Sequence, residues 1–167
     1  MKSKVIILNG RGGVGKDRFV DLCSKYMNCI HISSITPIKS FAYLCGWSGT
    51  KTEKDRKMLS DLKDIFIEYD DTCFKYVKNQ INKFYKDHPD DTLLFVDIRE
   101  PDEIDKLLAY VKCITCLITN SRVPSIDSNH SDRDVENYHY DFYICNDSTL
   151  QDLDDKAKWF VQVIKTI

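Results

Sequence analysis

The residues whose types and spacing point most clearly to chemistry lie in one glycine-rich stretch, NGRGGVGKD, residues 9–17. Glycines let the backbone curl so that successive N–H groups point inward, an arrangement that suits phosphate oxygens. Gly10, Gly15 and Lys16 satisfy the spacing G-x-x-x-x-G-K, in which the lysine reaches the outer phosphates of a nucleotide. The usual pattern continues with Ser or Thr, whose hydroxyl binds Mg²⁺, whereas this chain has Asp17. We therefore predict a phosphate loop, residues 10–17, with an altered metal ligand.

A dinucleotide-binding turn is the main alternative, because Gly10, Gly12 and Gly15 also match G-x-G-x-x-G. That motif expects an acidic residue about 20 positions further on, at the end of the second strand. The second apolar run ends instead in Ser33-Ser34, and Lys16 directly follows the last glycine. A bare glycine turn is disfavoured as well, since an apolar run precedes the loop and a helical pattern follows it. The mononucleotide loop is the better interpretation.

A second acidic signal follows the buried run Leu94-Phe95-Val96, which ends at Asp97. An acid at the carboxyl end of such a strand can hold Mg²⁺, usually through water. Carboxylate oxygens are ligands that this hard cation accepts, so Asp17 can also serve it. The hypothesis is that Asp17 binds Mg²⁺, directly or through water, and shares the ion with Asp97.

The elements that must position these residues are short apolar runs separated by helical patterns. The runs are continuous rather than alternating, as in strands of a parallel sheet that is covered on both faces. We predict strands at 5–8, 29–32, 93–96, 113–118 and 140–145. One helix between them is expected to place Met58, Leu59, Leu62, Ile65 and Phe66 on its apolar face. The order predicts one α/β domain over residues 1–167, with a helical region at 35–86.

Residues 119–137 form a polar stretch that is too long for an ordinary connection. We predict a lid or another functional loop there. His130 within it could touch phosphate, whereas His31 lies in the middle of a predicted strand and is expected to be packed. Histidine, cysteine and aspartate show no zinc-like spacing along the chain.

The amino-acid composition and net charge indicate which classes of binding partner to expect. The chain has 167 residues, a net charge of -2 and no long basic run, which gives no electrostatic case for nucleic acid or an anionic membrane as the main partner. The seven cysteines are odd in number, and neither a signal peptide nor a membrane-spanning segment is evident. We expect a cytoplasmic protein with free thiols, a monomer or a homodimer, whose partners are small molecules.

Several of these stretches together resemble one family, the phage-type deoxynucleoside monophosphate kinases, relatives of adenylate kinase and of animal phosphomevalonate kinase. The similar stretches are 10–17, where the family commonly has Asp after the lysine, 33–39, 97–103 and 147–153, with a looser match at 126–136. The segment 97–103, DIREPDE, matches the family signature Asp-x-Arg-x-Pro-x-Glu. The resemblance spans nearly the whole chain. It implies an adenylate-kinase-like P-loop NTPase fold with five parallel strands in the order 2-3-1-4-5.

The resemblance also implies ATP-dependent, Mg²⁺-assisted phosphorylation of a (deoxy)nucleoside monophosphate. The implied ATP-binding residues are Gly10, Arg11, Gly12, Gly13, Val14, Gly15, Lys16, Asp17, Arg18 and Asn146. The implied acceptor-binding residues are Ser33, Lys39, Arg56, Asp97 and Arg99, with Lys16, Arg99, Arg122 and Arg133 as the catalytic cations and Asp17 and Asp97 as the metal ligands. The helical region 35–86 would bind the acceptor, and residues 119–137 would form the lid.

Several of these assignments have alternatives, either a purely structural role for the residue or a different acceptor. Arg99 directly follows the strand that ends in Asp97, so it lies at the sheet edge where α/β proteins bind ligands, but it could instead form an ion pair with Glu103. Arg56 and Lys39 could belong to solvated helix faces. The acceptor could also be phosphomevalonate or dephospho-coenzyme A, or the protein could be a nucleotide-binding NTPase without kinase activity.

Overall fold

The computed structural model describes residues 1–124 and 135–167. The strands of the described part are β1 (Lys4–Asn9), β2 (Asn28–Ser33), β3 (Thr92–Asp97), β4 (Cys113–Thr119) and β5 (Phe142–Cys145). The helices of the described part are α1 (Lys16–Cys23), α2 (Thr36–Leu44), α3 (Glu53–Asp70), α4 (Thr72–Asp87), α5 (Pro101–Tyr110) and α6 (Leu150–Ile164). No helix in the described ranges is both long and apolar enough to cross a bilayer.

The five strands form one parallel sheet in the order β2-β3-β1-β4-β5, which confirms the predicted topology. Leu8 in β1 pairs with Asp97 in β3, and Asp97 pairs in turn with Ser33 in β2. The carboxyl ends of three neighbouring strands therefore meet at one edge of the sheet. Ligands of open α/β sheets bind at this edge, so the register brings the predicted site residues together.

Helices cover both faces of the sheet, which explains why the strands are apolar throughout. Ile6 and Leu8 pack with Phe19 of α1 and Phe160 of α6 on one face. On the other face Val5, Ile7, Leu94 and Val96 pack with Val77 of α4 and Ile104 of α5. Because side chains alternate along a strand, β1, β3 and β4 contribute to both clusters, whereas β5 contributes Phe142 and Ile144 to the first cluster alone.

Helix α3 departs from the predicted apolar face. Ile65 was expected to point inward, but it is 60% exposed. The buried residue of this helix is instead Lys63, which is 6% exposed and is held by two carboxylates of the α5 region. The expectation for Ile65 is therefore wrong: this side chain faces outward, whereas Lys63 faces the carboxylates of the α5 region.

Candidate active site

The phosphate loop leaves β1 and enters α1 through glycines that no other residue could replace without distortion. Gly10 has φ 145°, and a Cβ there would lie 2.5 Å from the carbonyl oxygen of Ile118. Gly15 has φ 100° and is the N-cap of α1. A Cβ on Gly15 would lie 2.6 Å from the Nδ2 atom of Asn146, whose amide donates to the Val14 carbonyl at 2.9 Å. Asn146 thus holds the loop from the end of β5, and its place in an ATP site remains a prediction.

Lys16 folds back across this loop. Its Nζ donates to the carbonyl oxygens of Gly10 at 2.6 Å and Arg11 at 3.1 Å. The ammonium group is thus held against the loop, close to the start of α1, where the first amides of a helix have no partner within the helix. Those amides and the helix dipole favour an anion at this position. The arrangement provides both parts of a phosphate site, backbone donors and a cation.

Two arginines from distant parts of the chain converge on the loop. Arg56 of α3 and Arg99, which follows β3, both approach Gly12: a Cβ on Gly12 would lie 3.6 Å from Nη1 of Arg56 and 3.9 Å from Nη2 of Arg99. Arg56 is therefore not on a solvated helix face remote from the site. An ion pair between Arg99 and Glu103 was the alternative for this arginine. The Glu103 carboxylate instead accepts from Lys63.

Lys39 of α2 adds a third positive charge. Burial lowers the pKa of Lys39, and the charges of Arg99 and Lys51 lower it further, against the opposing effect of Asp97 and Asp17. These influences place Lys39 in the electrostatic neighbourhood of Arg99 and of the phosphate loop. Ser33, the remaining acceptor-site prediction, pairs with Asp97 in the sheet, and its carbonyl accepts from the Thr36 hydroxyl at 2.7 Å. The predicted acceptor residues therefore share one edge of the sheet.

Asn9 connects the loop to the Arg99 segment. Its side-chain oxygen accepts from the Gly10 amide at 2.8 Å, and its Nδ2 donates to the Arg99 carbonyl at 3.0 Å and to the Tyr140 hydroxyl at 2.8 Å. The Tyr140 hydroxyl donates onward to the Val135 carbonyl at 2.8 Å. Asn9 is fully buried, so these bonds satisfy groups that water cannot reach. The network fixes the phosphate loop, the Arg99 segment and the chain at residue 135 relative to one another.

The two predicted metal ligands lie near a third candidate, His31. Register explains the approach: His31 pairs with Phe95, whose side chain faces the α1 layer, and Asp17 opens α1 on that side. Nε2 of His31 lies 3.1 Å from Oδ1 of Asp97, and Nδ1 lies 3.8 Å from Oδ1 of Asp17. One ligand atom from each of the three residues lies within 4.8 Å of the other two.

The donor set of this trio fits a divalent cation. Oδ1 of Asp97 is buried and has no hydrogen-bond partner among the described residues. Such an oxygen needs a cation or a donor to offset its desolvation. The side chain of Asp17 is 87% exposed and free to turn toward an ion. Burial opposes protonation of His31, but Asp97 and Asp17 outweigh burial and the charge of Lys16, so the pKa of the imidazole is raised.

A cavity of about 510 Å³ lies beside Arg99, between α3, α4 and α5. Ile98 and Glu100, the neighbours of Arg99, line it together with the apolar side chains of Ile67, Phe74 and Val77. Lys63 closes one side of this region by donating at 2.8 Å to both Glu100 and Glu103. The ion-pair cluster fixes α3, which carries Arg56, to the segment that carries Arg99.

The other predicted cations have separate positions. Arg122 donates to the carbonyls of Asn146 at 3.1 Å and Ser148 at 3.4 Å, and so ties the end of β4 to the segment after β5. Arg11 forms an ion pair with Glu136 at 3.2 Å, whereas Arg18 is exposed on α1. Arg133 and His130 lie outside the described residues, as does most of the predicted lid. The roles of these side chains remain predictions.

Comparisons with known structures agree with this architecture. The chain is similar to thymidylate kinase from Candida albicans, with a TM-score of 0.55, 12% identity and coverage of 98% of this chain and 93% of that one. It is also similar to the Mycobacterium tuberculosis APS kinase in complex with AMPPNP and APS, with a TM-score of 0.51, 11% identity and coverage of 98% of both chains. A sugar kinase from Janibacter sp. gives a TM-score of 0.56 at 10% identity, over 96% of this chain and 95% of that one.

The chain shares the fold of these three structures, with one five-stranded parallel sheet in the order β2-β3-β1-β4-β5. No protein-family model matches it, and no curated protein sequence matches it. The identities of 10–12% show the fold alone, so the phage-type family of the sequence resemblance is not established. Residues 10–15 form the connection between the first strand and the first helix, and Lys16 and Asp17 begin that helix, so the predicted order of strand, glycine loop and helix is confirmed.

Three residues of this site have contacts that the sequence pattern does not predict. His31 was expected to be packed, but its side chain is 24% exposed and faces two carboxylates. Asn9 was part of the quoted stretch but was given no role. Lys63 lies in a helix with many charged residues, so the sequence pattern does not indicate that it is buried. Once the strand order is known, the register of β2 against β3 does signal the approach of His31 to the Asp97 end, but spacing along the chain does not.

Proposed function

We propose that this protein transfers the γ-phosphoryl group of ATP to a nucleoside monophosphate, giving ADP and a nucleoside diphosphate. One observation carries the proposal: Arg56 and Arg99 converge on Gly12, at the outer face of a loop built for phosphate. The amides of the loop and Lys16 form one anion site. The two guanidinium groups form another immediately beside it.

The cation cluster supports an acceptor that itself carries a phosphate. Arg56, Arg99 and Lys39 bring three positive charges to one edge of the sheet, and burial with like charges already lowers the pKa of Lys39. Guanidinium groups match phosphate oxygens in a bidentate manner, and a bound dianion would offset the mutual repulsion. A neutral hydroxyl acceptor would leave that repulsion in place.

The arrangement of these residues supports an in-line transfer. An acceptor phosphate oxygen attacks the γ-phosphorus, a new P–O bond forms, and the bond to the β–γ bridging oxygen breaks, leaving that oxygen on ADP. No general base is needed, because the phosphate oxygen is already unprotonated. Lys16 must exchange the carbonyls of Gly10 and Arg11 for phosphate oxygens, while Arg99 and Arg56 orient the acceptor. Asp17 and Asp97 would hold Mg²⁺, which would supply neutralisation of the negative charge on the ATP phosphates.

The cavity beside Arg99 is our proposed site for the nucleoside part of the acceptor. Its volume of about 510 Å³ falls within the usual range of small-ligand sites, and its wall combines apolar side chains with carboxylates. Asp102 and Asp105 are among the acidic lining residues, which makes the cavity unsuitable for a second phosphate but able to accept hydrogen bonds from a base. The acceptor would thus extend from Arg99 into the helical region 35–86.

The cellular setting is part of the same proposal. All seven cysteines are free thiols, which suits the reducing cytoplasm where nucleotide pools are found. The kinase would act there as a monomer or a homodimer on small-molecule nucleotides.

The proposal is tested by incubating the protein with ATP and Mg²⁺ and a panel of ribo- and deoxynucleoside monophosphates, phosphomevalonate and dephospho-coenzyme A. ADP release should rise well above the acceptor-free rate with at least one nucleoside monophosphate. Lys16→Ala should lose about 100-fold or more of this rate, the scale expected for a preorganised electrostatic contact in the transition state. Lys158→Ala, an exposed change on α6, should behave as wild type. If only phosphomevalonate or dephospho-coenzyme A raised the rate of ADP release, the acceptor would not be a nucleoside monophosphate. ATP hydrolysis that no acceptor accelerates would favour an NTPase without kinase activity.

A further inference from the structure

We propose that His31 is a direct nitrogen ligand of the metal ion held by Asp17 and Asp97, and that it biases the site toward first-row transition-metal ions over Mg²⁺. The inference rests on the proposed function, which places the ATP phosphates beside the same carboxylates. It adds a residue to which the sequence pattern gives no role. It also changes the chemistry of the site, from oxygen ligands alone to a mixed set of oxygen and nitrogen.

The separation between His31 and Asp97 matches that of two ligands of one ion. Nε2 and Oδ1 lie 3.1 Å apart, yet both atoms are buried and neither has a hydrogen-bond partner among the described residues. Two donors about 2.1 Å from one ion and at a right angle to each other are separated by about 3.0 Å. The observed separation agrees with that value, so one cation could contact both atoms with little rearrangement.

Asp17 lies close enough to complete the set, because one ligand atom from each of the three residues lies within 4.8 Å of the other two. Its Oδ1 lies 3.8 Å from Nδ1 of His31, and its side chain is 87% exposed, so the carboxylate can rotate onto a shared ion. The remaining positions of an octahedral ion would then take water or phosphate oxygens.

The choice of ion follows from the ligand types. Carboxylate and water suit Mg²⁺, whereas imidazole suits the later divalent ions, and affinity for mixed nitrogen and oxygen sites rises from Mn²⁺ to Co²⁺ and beyond. A nitrogen ligand from His31 should therefore favour Mn²⁺ and Co²⁺ over Mg²⁺. The ion would still be able to contact the phosphates, since two or more of its positions stay open.

The decisive measurement is pulsed EPR of Mn²⁺ bound to the full-length wild-type protein, alone and with a non-hydrolysable ATP analogue. We expect nitrogen modulation from a directly bound imidazole, and the isotope pattern should change when the protein is labelled with ¹⁵N-histidine. His31→Gln should abolish that modulation, which separates His31 from the other three histidines of the chain. The absence of nitrogen modulation in the wild-type protein would overturn the proposal without relying on any variant.

Competition titrations give a second readout. The ratio of Mn²⁺ affinity to Mg²⁺ affinity should fall about tenfold or more in His31→Gln, the scale seen when the immediate environment of a metal is disturbed. Asp17→Asn is the matched control, because removing an oxygen ligand should weaken both ions and leave the ratio nearly unchanged. An unchanged ratio in His31→Gln would contradict the proposal.

Failure of this inference is distinguishable from failure of the proposed kinase activity. Nitrogen modulation with no phosphorylated acceptor would keep the metal site and remove the kinase. An active kinase whose Mn²⁺ shows no nitrogen ligand would keep the activity and remove His31 from the metal site.

Discussion

The side-chain amide of Asn9 donates to the backbone carbonyl of Arg99 at 3.0 Å, across 90 residues of sequence. The same side chain accepts from the Gly10 amide at 2.8 Å. One buried residue therefore sets the distance between the start of the phosphate loop and the arginine assigned to the acceptor. Asn9 therefore contributes both to the stability of the fold and to the position of Arg99 relative to the loop.

Replacing Asn9 should affect both properties. Asn9→Ala leaves the Arg99 carbonyl and the Gly10 amide without their partner, so we expect a loss of about 1–3 kcal/mol in the free energy of unfolding. Urea denaturation measures that loss, and steady-state kinetics should show a raised acceptor KM. Tyr140→Phe is the matched control, since it removes only the hydroxyl at the other end of the network. An Asn9→Ala protein with wild-type stability and acceptor KM would remove the positioning role.

Two glycines of the loop should respond differently to the same substitution. In Gly10→Ala the new methyl group meets the Ile118 carbonyl at 2.5 Å, and overpacking of this kind costs about 1–3 kcal/mol. In Gly12→Ala the methyl group has room, at 3.6 Å from Arg56 and 3.9 Å from Arg99.

We therefore expect Gly10→Ala to lower the melting temperature. Gly12→Ala should leave the melting temperature unchanged but raise the acceptor KM about tenfold, because its methyl group lies beside the two arginines assigned to the acceptor. A tenfold change is the scale of one hydrogen bond to a charged group. Calorimetry and kinetics on the two variants check this contrast. Equal effects of the two changes on both quantities would show that Gly12 does not face the acceptor.

The buried Lys63 should show a pH-dependent effect. Burial raises the pKa of Glu103 above 4.5 even though Lys63 opposes that shift, and the attraction of Glu103 and Glu100 outweighs burial to raise the pKa of Lys63. In Lys63→Met the opposing charge is lost, so the pKa of Glu103 rises further. A carboxyl whose pKa is higher in the folded protein loses stability as pH rises through the interval between its unfolded and folded values.

Lys63→Met should therefore destabilise the protein more at neutral pH than near the unfolded pKa of about 4.5. Removing one partner of a buried pair commonly costs about 3–5 kcal/mol. Urea denaturation across this pH range measures the difference between variant and wild type, with Lys57→Met, an exposed change on the same helix, as the control. A difference that is independent of pH would contradict the ion-pair account.

The strand order and the position of the glycine loop between β1 and α1 could be predicted from the sequence, because their signals are local or come from the family resemblance. The apolar runs of a doubly covered sheet are visible in sequence, and the loop depends on glycines at fixed spacing. The family resemblance implies the order of the strands. It also implies acceptor-binding roles for Arg56 and Arg99, which the structure brings together at Gly12.

The remaining parts of the site depend on contacts between distant segments. Ile65 fits a helical apolar pattern, yet Lys63 is buried because two carboxylates from α5 and the residue before it meet it. His31 looks like an ordinary strand residue until β2 is placed beside β3. Asn9 is a polar residue in a buried strand, and its three partners are separated from one another by up to 130 residues of sequence. Periodicity carries no information about such pairs.

The most direct test of the central claim is to follow the transferred phosphorus by ³¹P NMR with ATP, Mg²⁺ and the best nucleoside monophosphate of the panel. We predict equal amounts of ADP and nucleoside diphosphate, with little inorganic phosphate. Arg99→Ala should weaken acceptor binding by roughly 10- to 100-fold, the scale of a hydrogen bond to a charged group, while Lys158→Ala should match the wild type. Inorganic phosphate as the main product with every acceptor, at a rate independent of Arg99, would contradict the account.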